Sequence, residues 1–366
     1  MKKLLLLFLS IMLVGCGGDS EPEPESKPVS QLSLDGIGFL FFDTKGNAIN
    51  SNTFTITSNT EWTISSTKDW CTFTPSSGKG NKEVKISPSK NDSFDMRTAS
   101  ITVKAGNRSH SFSIYQLGFD LPDNILAHIS DPILKSYIID NFDSDKNGLL
   151  SIAEVFDVTE INIEGKNITS LSGIENFFHL NELDCTNNRL SELDLTKNTQ
   201  LNRLDCDDNE LTKLILPKNA KITFLACSSN KLTTIDLSAA TELTFFSCEI
   251  NPLSKLDLSE NRKLKLVYCS NNLLNSINIS TCTELTDLRL RDNKLTSIDI
   301  SANTELKELD LYANLLTSID ISKNTKLKVL DCQHNPIEKI YVWKDFNSTN
   351  PEQSISIPDG AKFVVR

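Results

Sequence analysis

Asparagine recurs along this chain at an unbroken spacing of 21: Asn188, Asn209, Asn230, Asn251, Asn272, Asn293, Asn314 and Asn335. A fixed period in this range requires a solenoid, because each unit can bury its apolar face only by stacking on a neighbour. Such a stack presents a surface and seldom closes around a reaction. The period therefore favours a binding protein over an enzyme.

One unit runs Leu201-Asn-Arg-Leu204-Asp-Cys206-Asp-Asp-Asn209-Glu-Leu211, and the same pattern returns from Leu306 to Leu316. The motif LxxLx(C/L)xxNxL resembles the leucine-rich repeat family over about Val158 to Ile340. The resemblance implies short parallel strands, Leu and Cys inside, and Asn bonding backbone groups at the turn, where buried polar groups must be paired. Asn198, Asn219, Asn261, Asn303 and Asn324 form a second series, broken by Ala240 and Cys282, which predicts two strand-like edges per repeat and little helix. Residues 341–366 depart from the repeat and read as a C-terminal cap.

Residues 30–118 follow a different rule. Alternating runs such as Phe54-Thr-Ile56, Val84-Lys-Ile86 and Ile101-Thr-Val103 are separated by Asn, Ser, Gly and Pro, as in an antiparallel, immunoglobulin-like β-sandwich. The wording Ser58-Asn-Thr-Glu-Trp62, Asp69-Trp70-Cys71, Pro75-Ser-Ser-Gly78 and Gln116-Leu-Gly118 resembles a BACON-type domain. That family is often attached to secreted carbohydrate-active proteins, was proposed to bind glycans, and also serves as a spacer. Trp62 and Trp70 could stack on a sugar, but a Trp in a small sandwich is more often core. A mainly β chain is expected, with a sandwich followed by a solenoid.

At the N-terminus, Lys2 and Lys3 precede an apolar run ending Leu13-Val14-Gly15-Cys16. This pattern is that of a secretory signal over residues 1–15, and its end resembles a lipoprotein lipobox with Cys16 as the lipidated residue. The acidic, proline-rich stretch 16–29 reads as a linker and resembles the surface-export signal of Bacteroidota lipoproteins. An outer-membrane location, anchored by lipid and facing outward, is the expectation.

Between the two domains, residues 119–157 hold a helical pattern and then Asp143-Ser-Asp145-Lys-Asn147-Gly148-Leu149-Leu150-Ser151-Ile-Ala-Glu154. Every diagnostic place of a twelve-residue EF-hand-like loop is filled. Calcium takes six to eight oxygens, here from Asp143, Asp145, Asn147, Ser151, the Leu149 carbonyl and both oxygens of Glu154. A single structural calcium is expected, stiffening the joint and capping the solenoid.

The remaining chemistry is sparse. Cys185, Cys206, Cys227, Cys248, Cys269 and Cys332 share one inward column that Leu290 and Leu311 fill elsewhere, so they read as buried thiols. Cys71 and Cys282 have no evident partner. The four histidines lie far apart without a nucleophile motif, so no enzyme is expected. The acidic balance, net charge −11, argues against nucleic acid.

Strand alternation then exposes repeat positions 3, 5 and 7, counting Leu201 as 1. There the sequence places Phe224, Phe245, Leu266 and Tyr268 side by side. Asp184, Asp205 and Asp207 stand on one flank, and Arg289, Arg291 and Tyr312 on the other. An apolar patch with a charged rim predicts a site for a protein on a host or neighbouring cell. A glycan ligand, or an architectural role without ligand, are the alternatives.

Overall fold

The computed structural model describes residues 30–366 except 38–39, 50, 93–95, 118–124 and 219. The signal segment, Cys16 and the linker lie outside the described residues. Two compact units divide the chain, Met1–Asp120 and Leu121–Arg366.

The first unit holds two sheets. One orders β1 (Leu32–Asp35), β3 (Thr53–Ser58), β7 (Lys82–Pro88) and β5 (Cys71–Thr74) as β1-β3-β7-β5. The other orders β2 (Phe41–Phe42), β9 (Arg108–Gln116), β8 (Arg97–Ala105), β4 (Glu61–Ser66) and β6 (Ser77–Lys79) as β2-β9-β8-β4-β6. Alternate residues turn inward from both, and Phe54, Ile56, Val84 and Ile86 meet Trp62, Ile101, Val103 and Ile114 in one core. Pairing is not wholly antiparallel as the sequence led us to expect, because β2 runs parallel to β9. Trp62 is core: it is 1 % exposed and its indole N–H donates to the Gly80 carbonyl at 2.9 Å. Gly78 permits this, since a Cβ there would lie 2.5 Å from the Trp62 ring. Trp70 is half-buried, with the Arg97 guanidinium 4.4 Å over its ring.

The second unit is the solenoid. Ten parallel strands, from Glu160–Asn162 to Ser354–Ser356, form one continuous sheet. Every neighbour from Glu182–Asp184 to Val329–Asp331 is displaced by 21 residues. Equal repeat length thus places like residues in columns. The Leu columns are fully buried, and so is the Cys column, whose thiols remain free. These thiols also find acceptors: Cys206 donates to the Ala226 carbonyl at 3.2 Å and Cys248 to the Cys269 sulfur at 3.1 Å. Burial pushes the Cys332 thiol up to about 12, so it is inert as a nucleophile at neutral pH.

The Asn column closes each turn. Asn209 Oδ1 accepts the Leu190 N–H at 3.0 Å, while Nδ2 donates to the carbonyls of Cys185 and Cys206. The residue before each Asn is left-handed, with φ between 52° and 56° from Asn187 to His334. Asn and Asp at 187, 208, 271 and 292 suit this region. Ile250 does not, because a β-branched side chain is strained there.

One expectation is corrected. Among the described residues the second edge forms strands only near the ends, at Glu192–Asp194 with Lys213–Ile215 and at Ser318–Asp320 with Lys339–Val342 and Lys362–Val365. In the middle repeats the inward residues Leu258, Ile279 and Ile300 are buried without that ladder, apart from one bridge between Asp257 and Asn278. Residues 341–366 lie on the last repeat, where Ser354–Ser356 pairs with Val329–Asp331 after a longer loop.

At the other end of the stack, α1 (Pro132–Phe142) and α2 (Ile152–Phe156) join the solenoid core through Leu134, Ile138 and Val155, together with Leu150 of the loop between them. Asp131 caps α1 through the N–H groups of Ile133 and Leu134, and its other oxygen accepts from Thr169 N–H and Oγ1 at 2.8 Å. One carboxylate thereby ties helix to repeat. Among the described residues, no helix is long and apolar enough to cross a membrane.

Candidate functional site

We number the sheet strands as rungs, from Glu182–Asp184 as the first to Glu308–Asp310 as the seventh. Register aligns Arg203, Phe224, Phe245, Leu266 and Asp287 in one row, and Asp205, Ala226, Ser247, Tyr268 and Arg289 in another. Phe224 and Phe245 stack with centroids 4.3 Å apart and planes 4° from parallel. Tyr268 meets Phe245 edge-on at 5.5 Å. Arg203 lies 3.6 Å over Phe224, and Arg289 lies 4.3 Å over Tyr268. The result is an aromatic row closed at both ends by guanidinium groups, an arrangement favoured by ring quadrupoles. All four of its apolar members, Leu266 included, are half-buried.

Exposure is less uniform than alternation predicts. Ala226, Ser247 and Asp287 are buried although their positions point outward. Larger neighbours in the same two rows, including Phe224, Phe245 and Tyr268, cover them. Asp287 is also engaged, accepting from Tyr268 Oη at 3.2 Å and from Arg289 at 3.1 Å. Nor are the arginines an open rim. Arg291 sits 3.8 Å over Tyr312 and bonds Asp292, so Arg291 and Tyr312 form a separate pair beyond the aromatic row.

The opposite flank is acidic. Burial pushes the Asp207 carboxyl up to about 6, helped by Asp205 and Asp208 and opposed by the Ser228 N–H that it accepts. Burial likewise raises Asp310, despite the Tyr312 N–H it accepts and the nearby arginines.

The loop Asp143–Glu154 is a second site. Oxygens of Asp143, Asp145 and Glu154 lie within 4.8 Å of one another. Backbone and side chains organise them: Asp143 accepts from the Asn147 and Gly148 N–H groups, Asp145 from Asn147, and Asn147 Oδ1 from Leu149. Glu154 accepts from Ser144 and Ser151 N–H at 2.8 Å, and after the opposing effect of burial these bonds hold its carboxyl below the usual range. Gly148 has φ +76° with open space around it, as the turn requires. Ser151 Oγ bonds Glu154 at 2.8 Å, while Leu149 is exposed. Three converging carboxylates in an oxygen-only set fit a hard cation such as calcium.

Sequence reasoning missed Arg203, Asp287 and Ile250. Arg203 could have been found by the 21-residue spacing that places it beside Phe224. Only the three-dimensional packing marks Asp287 as covered.

Residues 60–117 match the BACON family model, described as "Putative binding domain, N-terminal". No curated protein sequence matches the chain. Among solved structures, the functional domain of InlJ from Listeria monocytogenes, which includes a cysteine ladder, is similar at 27% identity and TM-score 0.50. That match covers 65% of this chain and 61% of the other. A leucine-rich repeat protein of Leptospira interrogans, LIC12759, follows at 20% identity and TM-score 0.48, covering 57% and 62%. Internalin C2 of Listeria monocytogenes shares 17% identity at TM-score 0.46, over 68% of this chain and all of that one. The chain thus spans about three-fifths of the first two structures. The solenoid has the leucine-rich repeat fold, and it follows a segment that matches the BACON family model.

Proposed function

We propose that this chain is a lipid-anchored surface protein that recognises another protein through the outer face of its solenoid sheet, without catalysis. The carrying observation is the row Arg203–Phe224–Phe245–Tyr268–Arg289, its rings half-buried and its ends closed by guanidinium groups. Aromatic and arginine side chains with ordered neighbours are the residues on which interfaces concentrate their energy. Lipid on Cys16 would hold the chain to the outer membrane. Calcium on Asp143, Asp145, Asn147, Ser151, Glu154 and the Leu149 carbonyl would fix the α1–α2 joint against the first repeats. Glycan capture through the two tryptophans has less support, because Trp62 is core and Arg97 covers one face of Trp70.

The test is a screen of residues 16–366 in calcium, with Cys16→Ser, against arrayed matrix and mucin proteins and against glycans. The Phe224→Ala/Phe245→Ala variant runs beside it. A protein ligand lost by the variant supports the reading. A ligand bound equally by both proteins refutes the assignment to this face.

A further inference from the structure

The charges at the outward positions of the sheet face invert about its fourth rung, although Asp287 among them is buried. The second rung reads Arg203, Asp205, Asp207 at positions 3, 5 and 7, and the sixth reads Asp287, Arg289, Arg291. Every column changes sign between rungs that lie two steps to either side of Phe245–Ser247. Between them the third and fifth rungs place Phe224 and Leu266, both apolar, at corresponding positions. A surface that complements its own image about one line is the requirement of an isologous two-fold contact.

We propose that the partner of this face is a second copy of the chain, docked face to face about a dyad that runs along the strand Phe245–Ser247. This rests on the reading of the sheet face as a protein-binding site and names its occupant. A dyad in that direction preserves position along the strand and exchanges rung two with rung six. Asp205 then faces Arg289 of the other copy and Asp207 faces its Arg291, whereas Asp287 is buried and bonded to Tyr268 and Arg289 of its own copy. Phe245 lies on the axis against its own image.

The limits of the contact are also set by the sequence. One rung further out, Glu182 and Asp184 would oppose Glu308 and Asp310, so the footprint ends at rungs two and six. Strands about 4.8 Å apart and residues rising about 3.3 Å make that footprint about 24 Å by 13 Å. This is smaller than a standard interface of about 800 Å² per partner, so the association is weak and concentration-dependent.

Sedimentation velocity of residues 16–366 (Cys16→Ser) from about 5 µM to 0.5 mM tests this, with Tm checking that each variant folds. The wild type should dimerise. Arg289→Asp alone and Asp205→Arg alone each set like charges together twice per dimer, and should each weaken dimerisation about 10-fold or more. Mixing the two variants restores both pairs and should recover a heterodimer of wild-type strength. The same exchange between Asp207→Arg and Arg291→Asp is an independent pair if one variant folds poorly. A monomeric wild type at 0.5 mM overturns the proposal, as does a mixture no tighter than its components. If the wild type is monomeric while the Phe224/Phe245 variant still loses a different protein ligand, self-docking falls and the binding face stands.

Discussion

Asn251→Ala isolates what one Asn contributes to the stack. Asn251 Oδ1 accepts the buried Leu232 N–H at 2.9 Å, and Nδ2 donates to the carbonyls of Cys227, Cys248 and Glu249 at 3.0–3.2 Å. The two cysteine carbonyls are shared: Asn230 also donates to Cys227, and Asn272 to Cys248. Alanine therefore orphans one buried N–H outright and only thins the bonding of those carbonyls. An unmade buried bond costs about 1–3 kcal/mol. With the small void added, the expected loss is about 2–3 kcal/mol, or roughly 4–12 °C in Tm for a unit of this size. Asn251→Asp separates donor from acceptor. It keeps the acceptor for Leu232 but turns a carboxylate oxygen toward carbonyls, so it should cost more than alanine at pH 7. Protonation gives it a donor, its folded pKa is raised, and the extra loss should shrink as pH falls toward 4. Calorimetry of the solenoid transition, with hydrogen exchange at repeat amides, reads both effects. A loss under about 0.5 kcal/mol for alanine, with aspartate no worse, would refute the shared-ladder account.

Three further outcomes are expected. Asp207 has a folded pKa of about 6, above its ordinary value, so its contribution to stability declines as pH rises from about 4 to 6 and is flat above. Because the group is partly exposed, Asp207→Asn should stabilise by only about 1 kcal/mol at pH 7.5 and by nothing at pH 4, read by urea unfolding at both. Ile250 is strained at φ +53° and 57 % exposed, so Ile250→Asn should raise stability by about 1 kcal/mol, measured as a Tm increase of a few degrees. With a weak site of about 10⁻⁴ to 10⁻³ M, about 2 mM calcium should raise Tm by about 1–7 °C over EDTA. Asp145→Ala should abolish that difference, and an equal rise in the variant would remove calcium from this loop.

The repeat was legible because its determinants are local and identical in every unit. Leu, Cys and Asn do the same work at each 21-residue step, so spacing alone identifies inside, outside and turn. The features hidden from sequence are those where neighbours decide. Ala226 and Ser247 occupy outward positions yet are buried, since their burial depends on Phe224, Phe245 and Tyr268. Arg289 reads as a free rim charge, but it is engaged by Asp287 and lies over the Tyr268 ring while staying exposed. The rung at Ser354–Ser356 escaped notice because its offset from Val329–Asp331 is not 21. In the acidic loop the reverse holds: Asp143, Asp145 and Glu154 fall within twelve residues of sequence, and the motif itself placed their carboxylates together.

This division between columns has a consequence for how the face can change. Stability resides in the Leu, Cys and Asn columns, whose partners are backbone groups and each other. Positions 3, 5 and 7 of the rungs contribute mostly through side-chain contacts above the sheet, as between Phe224 and Phe245 or Arg289 and Tyr268. Substitutions there alter what the surface meets at small cost to the stack, whereas a change in repeat length would displace every column at once. Part of the charge inversion between rungs two and six has a cause within one copy. Arg203 shares a row with Phe224 and lies over that ring, Arg289 shares a row with Tyr268 and lies over that one, and Asp287 is buried against Tyr268 and Arg289. Across the dyad the same placement brings Asp205 to Arg289 and Asp207 to Arg291, so one arrangement of side chains serves both the aromatic row and the contact between copies.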